Sequence, residues 1–91
     1  MKLVCAAGNY VVFSNGVYRM DYPQHKMELI LEAKIELAAC YESELAYCTT
    51  NELVVYNLAE RKELNNIFLV APLIALCYTD GYLCYSEWNS K

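Results

Sequence analysis

Between Ile35 and Leu58 the chain alternates short apolar runs with short polar breaks. Ile35–Tyr41 and Leu45–Cys48 flank Glu42-Ser43-Glu44, and Leu53–Tyr56 follows Thr49-Thr50-Asn51-Glu52. Runs rich in β-branched and aromatic residues, punctuated by Ser, Thr and Asn, predict strands joined by tight turns. Weaker copies of the same unit lie on both sides. Upstream, Leu3–Ala7 is a short apolar strand that Gly8-Asn9 turns into Tyr10–Ser14. Asn15-Gly16 then supplies a hairpin signal, since both central residues of a type I′ turn need φ > 0. That turn would set Ser14 against Val17, Phe13 against Tyr18 and Val12 against Arg19. Asp21-Tyr22-Pro23-Gln24 breaks the next strand, because proline cannot donate to a central ladder.

Lys26–Leu37 carries two signals. Its Glu, Leu, Ala and Lys content favours helix by propensity. Yet Met27, Leu29, Leu31, Ala33, Ile35 and Leu37 fall on every second position, with only Ile30 out of step, and period two is the strand signature. The strand reading also requires a bend near Ala33, where one sheet ends and the next begins. Downstream, Asn57–Glu63 reads as a polar connector and Asn65-Asn66 as a second break. Ile67–Ala71 and Leu73–Tyr78 are apolar on both faces, as strands buried between two layers would be. Asp80-Gly81 gives a second type I′ signal, pairing Thr79 with Tyr82, Tyr78 with Leu83 and Cys77 with Cys84.

The unit repeats. A shift of about 37 residues places Ala38-Ala39-Cys40-Tyr41 on Ala75-Leu76-Cys77-Tyr78, and a shift of about 35 places Cys40 on Cys5 and Leu45–Thr49 on Tyr10–Ser14. A period in this range with short strands per unit marks propeller blades. Leu53-Val54-Val55-Tyr56-Asn57-Leu58 resembles the end of the third strand of a WD-repeat blade, in which an apolar strand closes with an aromatic residue, then Asp or Asn, then an aliphatic. The resemblance runs through nearly the whole chain as about two and a half units, roughly 3–31, 35–69 and 73–88. The chain departs from the family in having no Gly-His pair before a blade and no Trp-Asp dipeptide. The resemblance implies an all-β fold of antiparallel hairpins forming two to three propeller-like blades. The structural alternative is a small β-sandwich or barrel built from the same hairpins.

Propellers close with four to eight blades. Too few blades leave faces and strand edges bare, an aggregation hazard unless something covers them. The chain is then a segment of a longer polypeptide, or docks edge-on to a partner, or is not a propeller.

Composition narrows the function classes. Ninety-one residues that are 57% hydrophobic and 20% charged can pack a core as a single domain or a propeller segment. Seven Lys and Arg against eleven Asp and Glu give a net charge of −4, and the basic residues are scattered, so no nucleic-acid contact is expected. The longest apolar run, Ile67–Cys77, contains Pro72 and is far short of a membrane span of about 20 residues. No signal-peptide core follows Met1-Lys2, and five cysteines are an odd number, so free thiols in the cytoplasm or nucleus are expected.

The candidate chemistry is thin. The cysteine spacings lack the Cys-x2–4-Cys knuckles of zinc sites, so buried cysteines acting as small hydrophobes are expected, with a labile Cys77–Cys84 disulfide as the alternative. His25 sits in a polar turn with no nucleophile near it in sequence, and Asp21 and Asp80 fit turn chemistry. No metal, cofactor or catalytic set can be assembled. Of nine tyrosines, Tyr18, Tyr47, Tyr56, Tyr78 and Tyr85 fall inside strands, where rings pack. Tyrosine and tryptophan near loop ends also serve protein-binding surfaces, which singles out Trp88, Tyr82 and Tyr85 as contact residues. The expectation is a non-enzymatic protein–protein interaction module or scaffold subunit, an incomplete propeller whose open blade edges are covered by protein partners. The alternative is an independent small β-domain that binds a small ligand.

Overall fold

The period-two pattern folds entirely as strands and turns. The structure, a computed structural model, describes residues 2–21, 24 and 26–87, none of them helical. The first sheet runs β1 (Leu3–Ala7), β2 (Tyr10–Phe13), β3 (Gly16–Asp21) and β4 (Lys26–Glu32). The second repeats that order with β5 (Leu37–Tyr41), β6 (Glu44–Cys48), β7 (Glu52–Asn57) and β8 (Lys62–Phe68). The third holds β9 (Leu73–Thr79) and β10 (Tyr82–Glu87). All neighbouring strands are antiparallel, no sheet closes into a barrel, and the body measures 51 × 29 × 19 Å. In Lys26–Glu32 the alternation prevails over helix propensity, and the chain leaves the first sheet at Ala33, where the bend was expected.

Each sheet opens with a two-residue hairpin turn whose first residue has φ > 0: Gly8 (57°), Glu42 (54°) and Asp80 (50°). At Asp80-Gly81 both residues are positive, and the register is the one the type I′ signal predicts. The Asn15-Gly16 expectation is corrected. Phe13 pairs with Gly16 and Val12 with Val17, so the turn is Ser14-Asn15 and Gly16 begins β3. This register joins Val12 and Val17, both fully buried, where the alternative would have set Val12 against Arg19. Gly16 serves a close approach instead: a Cβ there would lie 2.6 Å from the Leu31 carbonyl oxygen of β4.

Asn65-Asn66 does not break a strand. Both residues lie within β8, opposite Val55 and Val54, and the preceding connector contracts to the turn Leu58–Arg61. Polar residues are tolerated there because β8 is an exposed edge, where they also discourage stray pairing. Within that turn Asn57 Oδ1 accepts the Glu60 N–H at 2.8 Å, while Leu58 is buried. Arg61, at φ 56°, reaches Glu28 of β4 at 2.7 Å. Both partners are half exposed, so this ion pair adds under about 1 kcal/mol.

The sheets stack in one sense, and two apolar clusters show how. Calling the side of each sheet that receives the next sheet its front, Val12 and Val17 on the front of the first sheet pack with Leu45, Tyr47, Val54 and Tyr56 on the back of the second. Ala46, Cys48 and Leu53 on the front of the second sheet pack with Leu76, Tyr78 and Leu83 on the back of the third. Between sheets the chain docks on the turn between the second and third strands of the sheet it has just left: Ile35 N–H donates to the Ser14 carbonyl and Leu69 N–H to the Asn51 carbonyl, each at 2.9 Å.

Aligning the opening turns makes Ala6, Cys40 and Tyr78 equivalent, and likewise Cys5, Ala39 and Cys77. The cysteine-matched repeat is therefore one residue out of register at both joins, and in a strand one residue exchanges the faces. The expectation that Ile67–Ala71 and Leu73–Tyr78 are buried on both faces is also corrected. Phe68 ends the exposed edge strand β8, Val70 lies in the connector, and Ile74 lies on β9 of a third sheet with a covered back; all three are exposed.

Candidate protein-binding surface

The third sheet has one feature the other two lack. In the first two sheets the second strand is flanked on both edges: β2 by β1 and β3, β6 by β5 and β7. The equivalent strand, β10, pairs only with β9 among the described residues. Its other edge presents backbone donors and acceptors without a ladder partner, a template for strand pairing.

The side chains register this difference. Counting from the opening turn, Leu45-Ala46-Tyr47 and Leu83-Cys84-Tyr85 occupy the same places. Tyr47 is 6% exposed, closed in by β7 and the first sheet, whereas Tyr85 is 43% exposed. On the other face the contrast has a different origin: Ala46 is buried under the third sheet, while Cys84 lies on the open front of the third sheet and is exposed. On the front of the third sheet Ala75, Cys77, Cys84 and Ser86, with Tyr85 between the last two, line a shallow hollow of about 210 Å³.

Of the three aromatic residues expected to make contacts, Tyr85 lies beside this edge and Tyr82, 77% exposed, begins β10 on the front face. Trp88 and His25 lie outside the described residues. Cys77 and Cys84 are cross-strand partners as expected, but both are exposed, which corrects their reading as core residues. Cys48 is buried, in keeping with that reading, and its thiol is pushed up by burial. Cys40 and Cys48 lie on neighbouring strands but on opposite faces. The pair that does meet is Cys5 and Cys40, across the first two sheets. Only the stacking of sheets brings them together, so no spacing in the sequence announces it.

A second hollow, of about 280 Å³, is polar and lies between hairpin tips, lined by Tyr41, Glu42, Ser43, Glu44, Asn57 and Gly81. Beside it Tyr78 O–H donates to Glu44 Oε2 at 2.7 Å, and its ring stacks on Tyr41 with centroids 5.9 Å apart. Burial, and then the Glu44 carboxylate, push the Tyr78 hydroxyl well above its usual range. The Tyr47 hydroxyl is raised too, first by burial and then by Glu63 and Glu52. These shifts hold both phenols neutral, as packing and hydrogen-bonding groups. Ligand pockets run from about 300 Å³ upward and are mostly apolar, so this polar hollow is a poor match to one. Among the described residues no group of three His, Cys, Asp or Glu side chains converges on a metal position. No helix there is long and apolar enough to cross a bilayer.

The signal that would have set the repeat in register is an aliphatic-x-aromatic triplet beginning two residues after each opening turn: Val11-Val12-Phe13, Leu45-Ala46-Tyr47 and Leu83-Cys84-Tyr85. No protein-family model, curated protein or solved structure matches the chain.

Proposed function

We propose that this chain is a non-enzymatic protein-interaction module, a scaffold subunit of propeller-like build whose third sheet takes an extended strand from a protein partner. The observation that carries the reading is the contrast between Tyr47 and Tyr85, equivalent residues of which the first is covered by a third strand and the second is bare. In strand addition, backbone hydrogen bonds supply affinity and the alternate side chains supply selectivity. An incoming antiparallel strand would sit on β10 as β7 sits on β6. Its inward residues would take the places of Val54 and Tyr56, opposite Tyr85 and Leu83. The partner segment is therefore uncharged on one face, with aliphatic and aromatic residues at alternate positions.

A labelled peptide bearing the β7 sequence Glu52–Asn57 between flanking lysines is the probe. Fluorescence anisotropy should show saturable binding to the chain, weakened at least about tenfold when alternate peptide amides are N-methylated, since the ladder bonds then fail. Tyr85→Ala should weaken binding several-fold while leaving the fold intact. The matching change Tyr47→Ala should cost about 3–5 kcal/mol of stability. Binding indifferent to N-methylation, or no binding by the folded chain, rules strand addition out.

A further inference from the structure

Cys5 and Cys40 stand 35 residues apart in the chain, and the first join sets their sulfurs 4.0 Å from one another. The registers explain how. Cys5 pairs with Val12 on the front of the first sheet and Cys40 with Leu45 on the back of the second, and paired residues share a face. Both side chains therefore enter the join. Both are half-buried with their thiols free, and the cluster they border is apolar, with Val12, Leu45 and Val54 at its centre. Among the described residues no third His, Cys, Asp or Glu joins them.

Two sulfurs at this separation suit a bridging ion. An ion bonded to two thiolates at about 2.3 Å each holds the sulfurs from about 3.8 Å apart at a tetrahedral angle to about 4.6 Å in line. The observed 4.0 Å lies inside that range, so an ion can be held where the sulfurs stand. The donor set also selects the ion. Structural zinc takes a full tetrahedron of ligands, and calcium and magnesium want a shell of oxygens. Copper(I) seeks soft thiolates, and its filled d shell leaves it stable with two of them. Cys77 and Cys84 are a weaker set: both are exposed on an open face, and the Cys84 thiol donates to the Tyr82 carbonyl at 3.9 Å.

We propose that Cys5 and Cys40 form a two-coordinate copper(I) site that clasps β1 of the first sheet to β5 of the second. Each thiol releases its proton to solvent as its sulfur bonds the ion, and the copper stays in the +1 state throughout. The site goes beyond the reading of the chain as an interaction module and does not depend on it. It lies in the first join, whereas the free edge of β10 belongs to the third sheet.

Competition for copper(I) tests this. The reduced 91-residue chain, held under nitrogen, is titrated into the coloured copper(I) complex of bicinchoninate and should withdraw one equivalent. Cys5→Ser and Cys40→Ser should each weaken that binding by more than the roughly 10–100-fold that outer-shell changes cost. The double change Cys77→Ser, Cys84→Ser should leave the equivalent in place, with circular dichroism reporting that every variant is folded. A second measurement needs no variant. Iodoacetamide should label Cys5 and Cys40 less in the loaded chain than in the unloaded one, and Cys77 and Cys84 equally in both, as read by peptide mapping. Silver(I), which shares the preference for two thiolates but does not oxidise them, should protect the same pair. The proposal is overturned if the chain withdraws no copper(I), if both single variants keep the equivalent, or if loading protects Cys77 and Cys84 while Cys5 and Cys40 are labelled as before. Peptide binding at β10 on the same samples reports separately on strand addition, so either idea can fail alone.

Discussion

Cys5 of β1 and Cys40 of β5 bring their sulfurs to 4.0 Å across the first join between sheets, both half-buried. The hydrogen bond from Cys40 holds the Cys5 thiol below its ordinary range, against the opposing effect of burial. Cys40 is pushed the other way by that same bond, by burial and by the charge on Cys5. One sulfur is thus prepared as a nucleophile with the second beside it as the resolving thiol.

Dilute hydrogen peroxide should therefore link Cys5 to Cys40. The Cys5 thiolate takes one peroxide oxygen to become a sulfenic acid, and Cys40 displaces that oxygen as water to leave the disulfide. The bridge spans 35 residues and should stabilise the fold by on the order of 3–4 kcal/mol if its geometry is relaxed. Peptide mapping identifies the linked pair, and denaturant midpoints before and after oxidation give the gain. Oxidation that joins Cys77 to Cys84 while sparing Cys5, or a Cys5→Ser chain that gains as much, contradicts the expectation.

Tyr78 and Glu44 tie the tips of the second and third sheets together through a 2.7 Å bond that exists only while the phenol keeps its proton. The hydroxyl's pKa is raised on folding, so its contribution to stability is full below the unfolded value of about 10 and is lost as pH climbs through the raised value. The parent should lose stability more steeply above about pH 10 than Tyr78→Phe, which lacks that proton. Near pH 7 the substitution should cost about 1 kcal/mol. Parallel alkaline slopes for the two chains would show that this bond does not couple to pH.

Gly16→Ala should destabilise the first sheet by roughly 1–3 kcal/mol, the cost of overpacking a buried site. The new methyl would meet the Leu31 carbonyl, backbone that cannot swing aside. Gly8→Ala meets no neighbouring atom and carries only the strain of φ 57°, about 1–2 kcal/mol. Urea midpoints for the two variants, read beside hydrogen exchange at Leu31, separate crowding from turn strain.

The strands were legible because period-two alternation survives even in Lys26–Glu32, where composition points to helix. Asp80-Gly81 announced its own register, since both residues of that turn need φ > 0. Asn15-Gly16 misled for a physical reason: a glycine is wanted equally by a turn and by a tight approach of two backbones, and sequence does not separate these uses. Matching cysteines misled in another way, because Cys, Ala and Tyr exchange freely along a small apolar row, while turns fix which row is which. The bare edge at β10 was foreseeable as an unfinished unit. The facing of Cys5 and Cys40 was not, since it depends on how separate sheets lie against one another.

The bonds from Ile35 to Ser14 and from Leu69 to Asn51 bear on how the protein is made. Among the described residues every ladder joins strands that are consecutive in the chain, so each sheet can zip up from its own hairpins without waiting for distant sequence, which shortens the search that slows most β topologies. A nascent chain emerging from the ribosome would complete the first sheet, and fasten it off at Ile35, before the second has begun to appear.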